Sequence, residues 1–192
     1  MPKVGMEPIR RSALVKATIT EIGRHGSLDV TVSQIAKRAG MSSALAHHYF
    51  GSKEQIFLAA MRHILTIYAA EVRGALLTAR GSKDRLRATI LASFGSGSFR
   101  REVASAWLNF YVLAQTQPEA RRLLAVYQGR LRSTLLHDLR PLVGDRAETI
   151  ADTVGALIDG VYLREVLKGD SPTASKAAAM VWDCLEREIG EK

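Results

Sequence analysis

The chain has 192 residues, 47% hydrophobic and 24% charged, with a formal net charge of +8. That is ample for one large or two small packed domains and excludes a fibrous or disordered chain. Cys184 is the only cysteine, which excludes an intramolecular disulfide, and the longest uncharged run, Val103 to Pro118, is too short and too polar to span a membrane.

The opening, MPKVGMEPIRR, lacks the apolar h-region of a secretory signal, and with the lone cysteine this leads us to expect a cytoplasmic protein. Residues 1–7 read as a frayed basic tail. From Pro8, the residues Ile9, Leu14, Ala17, Ile19 and Ile22 recur at mostly helical spacing until His25-Gly26. They predict a first helix that supports the segment after it from behind.

Thr31 to Lys53 predicts a helix, a tight turn and a second short helix. Thr31 and Gln34 form a capping box, Val32, Ile35, Ala36 and Ala39 give an apolar face, and Gly40 closes the helix. Ser42 caps a second helix over Ser43 to Phe50, and Ser52 with Gln55 forms a further capping box that starts a third. Three helix starts this close together are a helix-turn-helix pattern. On the second helix, Ser43, Ala44, His47 and His48 are small or able to hydrogen-bond, so this face can approach base edges in a major groove. Tyr49 supplies a hydroxyl for phosphate, Phe50 an aromatic for the core, and Lys53 an ammonium for the DNA backbone. Charge agrees: residues 1–53 hold eight Lys or Arg against three acidic residues, so +5 of the net +8 lies in little more than a quarter of the chain. That is the footprint of a polyanionic partner, double-stranded DNA.

The run Gln34 to Glu54 resembles the DNA-binding signature of the TetR family of bacterial repressors: Ala-x-x-x-Gly, then a capping Ser, then Tyr-Phe-x-x-Lys. Ala44 stands where that signature usually has Gly, and His47 where it usually has Tyr. The resemblance implies an all-α, TetR-like fold, with a three-helix DNA-binding domain at residues 1–52 and a larger helical ligand-binding and dimerisation domain at 53–192. It also implies DNA-contacting roles for Thr31, Ser42, Ser43, Ala44, His47, His48, Tyr49 and Lys53.

Downstream, Ile56, Phe57, Ala60, Met61, Ile64, Leu65, Tyr68, Val72, Ala75 and Leu76 keep one apolar stripe, predicting a helix about 35–40 Å long at roughly 1.5 Å per residue. Gly81-Ser82 breaks it, Leu86, Ile90, Leu91 and Phe94 mark another helix, and Ser93 to Ser98 reads as a flexible loop. Glu102 to Thr116 is an aromatic-rich helix, and Pro118 opens the next, which reaches Pro141 and Gly144. Arg146 to Lys168 comes after it, ended by Gly169, and Ser171 with Pro172 starts the last helix, whose apolar side is Ala178, Val181, Trp182, Leu185 and Ile189. Nine helices and no strands are expected.

Val154, Gly155, Leu157, Ile158 and Val161, with Ala174, Ala177 and Ala178, predict an isologous four-helix interface in a homodimer. A dimer also suits palindromic DNA, since two related recognition helices read half-sites about 34–36 Å apart. Trp107 and Tyr111 share a helix face with Phe110 close by, and Asp159 and Tyr162 share another. With Tyr127 these residues suggest a cage for a quaternary ammonium, which donates no N–H bond and is held by cation–π and Coulomb attraction. The competing reading is aromatic core, with Asp159 meeting Arg164 or a partner subunit.

The opening MPKVGMEPIRR, His48 to Gly51, Met61-Arg62-His63, Ala106-Trp107-Leu108 and Leu157 to Arg164 resemble the choline-responsive branch of the same family, whose members repress genes for choline uptake and its conversion to glycine betaine. This implies choline as effector and no cofactor. An alternative within the family is a repressor of an efflux pump that senses lipophilic cations. An enzyme is not expected: His47 and His48 are adjacent and so diverge by about 100° on a helix, Cys184 has no motif around it, and no phosphate loop or serine elbow occurs. No catalytic or metal-binding residue is assigned.

Overall fold

In the computed structural model the described residues are 5–168 and 173–190. They form α1 (Met6–His25), α2 (Val32–Arg38), α3 (Ser43–Phe50), α4 (Lys53–Thr78), α5 (Gly81–Ser93), α6 (Arg101–Thr116), α7 (Pro118–Val143), α8 (Ala147–Val166) and α9 (Ala174–Gly190). A 3-10 turn, Gly144–Arg146, joins α7 to α8, and no strand occurs among the described residues. The expected all-helical class is the one observed. Gly169, Ser171 and Pro172, expected to end α8 and start α9, lie outside the described residues, as do residues 1–4 of the opening.

Packing divides the chain into two compact units, Met1–Leu65 with Arg100–Arg122, and Thr66–Phe99 with Leu123–Lys192. The first unit therefore joins two separate stretches of the chain. The reason is α6, which lies against α1 in the first unit. There Glu102 sits so close to Gly23 that a Cβ on the glycine would be 2.6 Å from the Glu102 Cα. Asn109 Nδ2 donates to the Gly26 carbonyl at 3.2 Å a little further along.

The first unit buries Leu14, Ala17, Val32, Ile35, Ala36, Ala46 and Ile56 in one cluster, with Met41, Tyr49 and Phe50 packed on it. This cluster holds α1, α2, α3 and the start of α4 together. Glu21, 5% exposed on α1, adds a charged tie: it pairs with Arg38 at the end of α2, and with Arg24 at 3.8 Å and His25 at 3.6 Å.

The second unit is built on Leu86, Ile90, Leu135, Leu139, Val181 and Leu185, all fully buried. α8 and α9 cover each other within the one chain. Val154, Ile158, Val161, Ala177 and Ala178 are at most 6% exposed, so these residues, expected at a subunit interface, belong to the core of the protomer. Two adjacent apolar helices satisfy each other first, and Leu157, Gly155 and Ala174 are left half-buried while Met180 is 57% exposed.

The stretch Ser93 to Ser98, expected to be a flexible loop, begins with the last residue of α5 and is pinned by its own packing. Phe94 is 2% exposed and stacks on Phe99, and the Gly95 N–H donates to the Ala92 carbonyl at 3.2 Å. The Gly81 break also shifts: α5 begins at Gly81 itself, and Ala79 and Arg80 separate the helices.

Candidate nucleic-acid interface and effector site

α2 begins with both halves of its capping box formed. The Thr31 hydroxyl accepts the Gln34 N–H at 3.2 Å, and Gln34 Oε1 accepts the Thr31 N–H at 2.7 Å. At its end Gly40 takes φ 68°, which lets the Gly40 N–H reach the Lys37 carbonyl at 3.1 Å and the Met41 N–H reach the Ala36 carbonyl at 2.9 Å. That is a Schellman closure, which needs a left-handed residue at this point. Ser42 Oγ then accepts the Leu45 N–H at 3.2 Å and starts α3.

α3 turns Ala46 fully into the core and leaves Ala44, His47 and His48 exposed. With about 100° per residue, Ala44 and His48 point almost directly away from Ala46. They form the ridge that can enter a major groove, a methyl for apolar contact with thymine and an imidazole for base edges. Beside the ridge runs an open groove of about 580 Å³, lined among others by Thr31, Ser33, Ser43, His47 and Lys53. Three hydroxyls and an ammonium at one concave surface are phosphate-binding chemistry. Asp29 stands at the edge of this groove, its carboxylate accepting from the Ser27 hydroxyl at 3.4 Å.

His47 has a second task that the sequence does not announce. Its Nδ1 lies 3.0 Å from the Gly51 carbonyl oxygen, and since a carbonyl only accepts, Nδ1 carries the proton and Nε2 is left for an outside partner. Gly51 has φ 78° and ψ −62°, and the Ser52 N–H donates to the Phe50 carbonyl at 2.9 Å. This is a γ-turn of the strained kind, and it swings Lys53 round to the groove. The capping box expected at Ser52 consequently forms only half. Ser52 Oγ accepts the Gln55 N–H at 3.3 Å, but the Ser52 N–H is already used, and the Gln55 side chain donates to Glu119 at 2.8 Å instead. The backbone N–H and the Ser52 hydroxyl hold the Glu54 carboxyl below its ordinary value.

The six expected effector residues fall three to each unit. In the first, the Trp107 ring centroid is 5.9 Å from Phe110 and 5.8 Å from Tyr111, with Phe110 fully buried. In the second, the Tyr127 hydroxyl donates to Asp159 Oδ1 at 3.2 Å. Asp159 thus meets Tyr127, while Tyr162, expected to work beside it, donates its hydroxyl to the Ser98 carbonyl at 2.8 Å and packs its ring on Phe99. Burial pushes the Tyr162 phenol well above its ordinary value.

Tyr68 stands edge-on to Tyr127 at 5.7 Å. Ser93 Oγ donates to the Thr89 carbonyl at 2.9 Å, so the Tyr68 hydroxyl donates to Ser93 Oγ at 3.0 Å. Burial first, then the Asp159 and Glu71 charges, raise the Tyr68 phenol and keep it protonated. Two tyrosine rings around a carboxylate are chemistry for a cation. Tyr68 lies in a long apolar stripe, where nothing local distinguishes a cage residue from core. Among the described residues no group of three or more His, Cys, Asp or Glu is placed to hold a metal ion, and no helix is long and apolar enough to cross a membrane.

Comparison with known proteins agrees with this architecture. The model for bacterial regulatory proteins of the tetR family matches residues 14–60, and the model for the C-terminal part of BetI-type transcriptional repressors matches residues 82–190. The chain is 46% identical over 194 residues to the HTH-type transcriptional regulator BetI of Brucella anthropi, covering 100% of both chains. It is 47% identical to BetI of Agrobacterium fabrum, covering 98% of this chain and 92% of the relative. A crystal structure of a transcriptional regulator from Pseudomonas aeruginosa PAO1 superposes with TM-score 0.84 at 26% identity, covering 96% of this chain and 92% of that one. One from Saccharomonospora viridis, solved in complex with choline, superposes with TM-score 0.83 at 23% identity, covering 95% and 98%. The helix-turn-helix of α2 and α3 and the helical C-terminal half are thus matched by relatives named as regulators rather than enzymes, and the chain belongs to the TetR family of transcriptional regulators as a BetI-type transcriptional repressor.

Proposed function

We propose that this repressor controls genes for choline uptake and its conversion to glycine betaine, binding palindromic operator DNA as a homodimer and loosening its hold when choline binds. The observation that carries the effector reading is the contact of Tyr127 with Asp159 beside the ring of Tyr68, in a chain whose C-terminal half is of the BetI type. A quaternary ammonium needs aromatic faces and one negative charge, and this constellation offers both. Within the same unit Tyr162 remains a candidate effector aromatic, and Trp107, Phe110 and Tyr111 remain a separate candidate aromatic cluster of the first unit. The Saccharomonospora viridis regulator supports the reading at the level of the fold, since that protein holds choline.

The homodimer reading is supported by what α8 and α9 leave uncovered, Met180 exposed with Leu157 half-buried. Two copies related by a two-fold axis present two α3 helices to half-sites about 34–36 Å apart. Choline then favours a dimer in which that spacing is wrong, and α4, which carries both Lys53 and Tyr68, is the element that transmits the difference. A coupling of about 1–3 kcal/mol suffices, changing operator affinity roughly 5- to 150-fold.

Fluorescence anisotropy on a DNA duplex selected by the protein from a random-sequence pool, at fixed salt, tests this with choline, glycine betaine and a bulky lipophilic cation. Choline alone weakening the complex supports the proposal. Release by the bulky cation alone moves the assignment to an efflux-pump repressor.

A further inference from the structure

Two arginines of α1 reach the recognition helix from outside the helix-turn-helix motif. Arg10 Nη1 donates to the Tyr49 hydroxyl at 3.4 Å, and the Arg11 guanidinium lies over the Phe50 ring at 4.9 Å from its centroid. They differ in one respect that assigns their roles. Arg11 pairs with Glu7 at 2.9 Å, whereas Arg10 makes no ion pair among the described residues.

The position of Tyr49 on α3 gives that charge a purpose. With about 100° per residue and Ala46 pointing inward, Ser43 and His47 lie about 60–100° to one side of Ala46, while Leu45 and Tyr49 lie a similar angle to the other. The Ser43–His47 flank faces the groove that holds Lys53. A helix in a major groove is bounded by a phosphate backbone on each wall, and the Lys53 groove serves only one of them.

We infer that Arg10 and the Tyr49 hydroxyl together bind a DNA backbone phosphate on the wall opposite to the one served by Lys53. Tyr49 Oη accepts from Arg10 and so keeps its own proton to donate, and Arg10 retains four further N–H donors, one guanidinium edge being enough for a phosphate. Arg11 is a positioning residue, its cation stacked on Phe50 to fix the end of α3. The inference rests on the reading of α3 as the recognition helix.

The test is the salt dependence of DNA binding, by anisotropy, on the selected duplex and on a scrambled duplex of equal length. Each phosphate contact contributes about 0.9 to the slope of log affinity against log salt. Arg10→Ala, which removes two such contacts per homodimer, is expected to lower the slope by about 1.8 and weaken both duplexes alike, Arg10→Lys to keep the slope, and Arg11→Ala to leave it unchanged. If Arg10→Ala leaves the slope intact while Lys53→Ala flattens it, the assignment of Arg10 is overturned. If both leave it intact, or the wild-type protein binds neither duplex, the recognition-helix reading fails and this inference with it. Should Arg10→Ala lose its melting transition, Arg10→Gln replaces it in the same comparison.

Discussion

Gly23 of α1 and Glu102 of α6 approach so closely that no side chain fits between them: a Cβ on Gly23 would stand 2.6 Å from both the Cα and the Cγ of Glu102. The Cα cannot swing aside as a flexible side chain would. Gly23→Ala must therefore push the backbone of α6 away from α1, at a cost of about 1–3 kcal/mol for an overpacked site. Gly74, inside α4 with nothing within 4 Å of its added Cβ, is the control. Gly74→Ala is expected to stabilise by about 0.4–1 kcal/mol through the unfolded chain. Thermal melting of the two variants side by side should move in opposite directions, and a neutral Gly23→Ala would refute the close approach.

Glu21 is the buried member of a cluster whose outer members are the cations Arg38 and Arg24 and the imidazole of His25. Glu21→Gln keeps the shape and removes the charge, leaving Arg38 with a weaker acceptor. A hydrogen bond to a charged group contributes about 1.5–3 kcal/mol, less here because the Arg38 side chain is 31% exposed. Urea unfolding should show a loss of about 1–2 kcal/mol. Because this tie holds α2 to α1, DNA affinity should fall too, on specific and scrambled duplexes alike.

Gly51 is held in its γ-turn by the Ser52 N–H and by His47, and this turn sets the direction in which α4 departs with Lys53. At φ 78° an alanine is strained by about 1–3 kcal/mol. Gly51→Ala should lower DNA affinity by more than its drop in melting temperature explains, while His47→Ala, which frees the Gly51 carbonyl, should show a smaller loss of the same kind. Equal affinities at equal fraction folded would separate the turn from DNA binding.

Acid should destabilise the protein from below the ordinary carboxylate value. The Lys168 ammonium, then the Thr173 N–H, hold Glu165 below 4.5, and Lys83 does the same for Glu186. As pH falls the unfolded chain takes up these protons first, so the stabilisation is complete above the ordinary value of 4.5 and is lost as pH passes through the lower folded values. Circular-dichroism melts should show this contribution lost as pH falls below about 5. Lys168→Ala should flatten the acid limb, and an unchanged limb would remove Glu165 from the account.

Asp159→Asn tests the carboxylate directly. The amide oxygen still accepts from Tyr127, so the packing survives, while the attraction between unit charges near 4 Å, about 1–4 kcal/mol between bulk water and a protein surface, is lost. Calorimetry should show choline binding weakened by that amount, beyond what any loss in melting temperature accounts for. Tyr68→Leu should weaken choline while leaving DNA affinity without choline unaltered.

The sequence alone determined α2, α3 and their turn, because a capping box, a Schellman closure and an N-cap involve atoms within five residues of one another. Helical class came from periodicity for the same reason. Tertiary structure decided whatever joins distant segments: α6 on α1, the diversion of Gln55 to Glu119, the meeting of Tyr127 with Asp159, and the enclosure of Val154, Ile158 and Ala177 within one chain. An apolar face records that it must be covered but not by what, and an aromatic at helical spacing looks the same in a core as in a cage. Arg10 shows the limit most plainly, since its partner Tyr49 lies 39 residues away and only packing of α1 on α3 brings the two together.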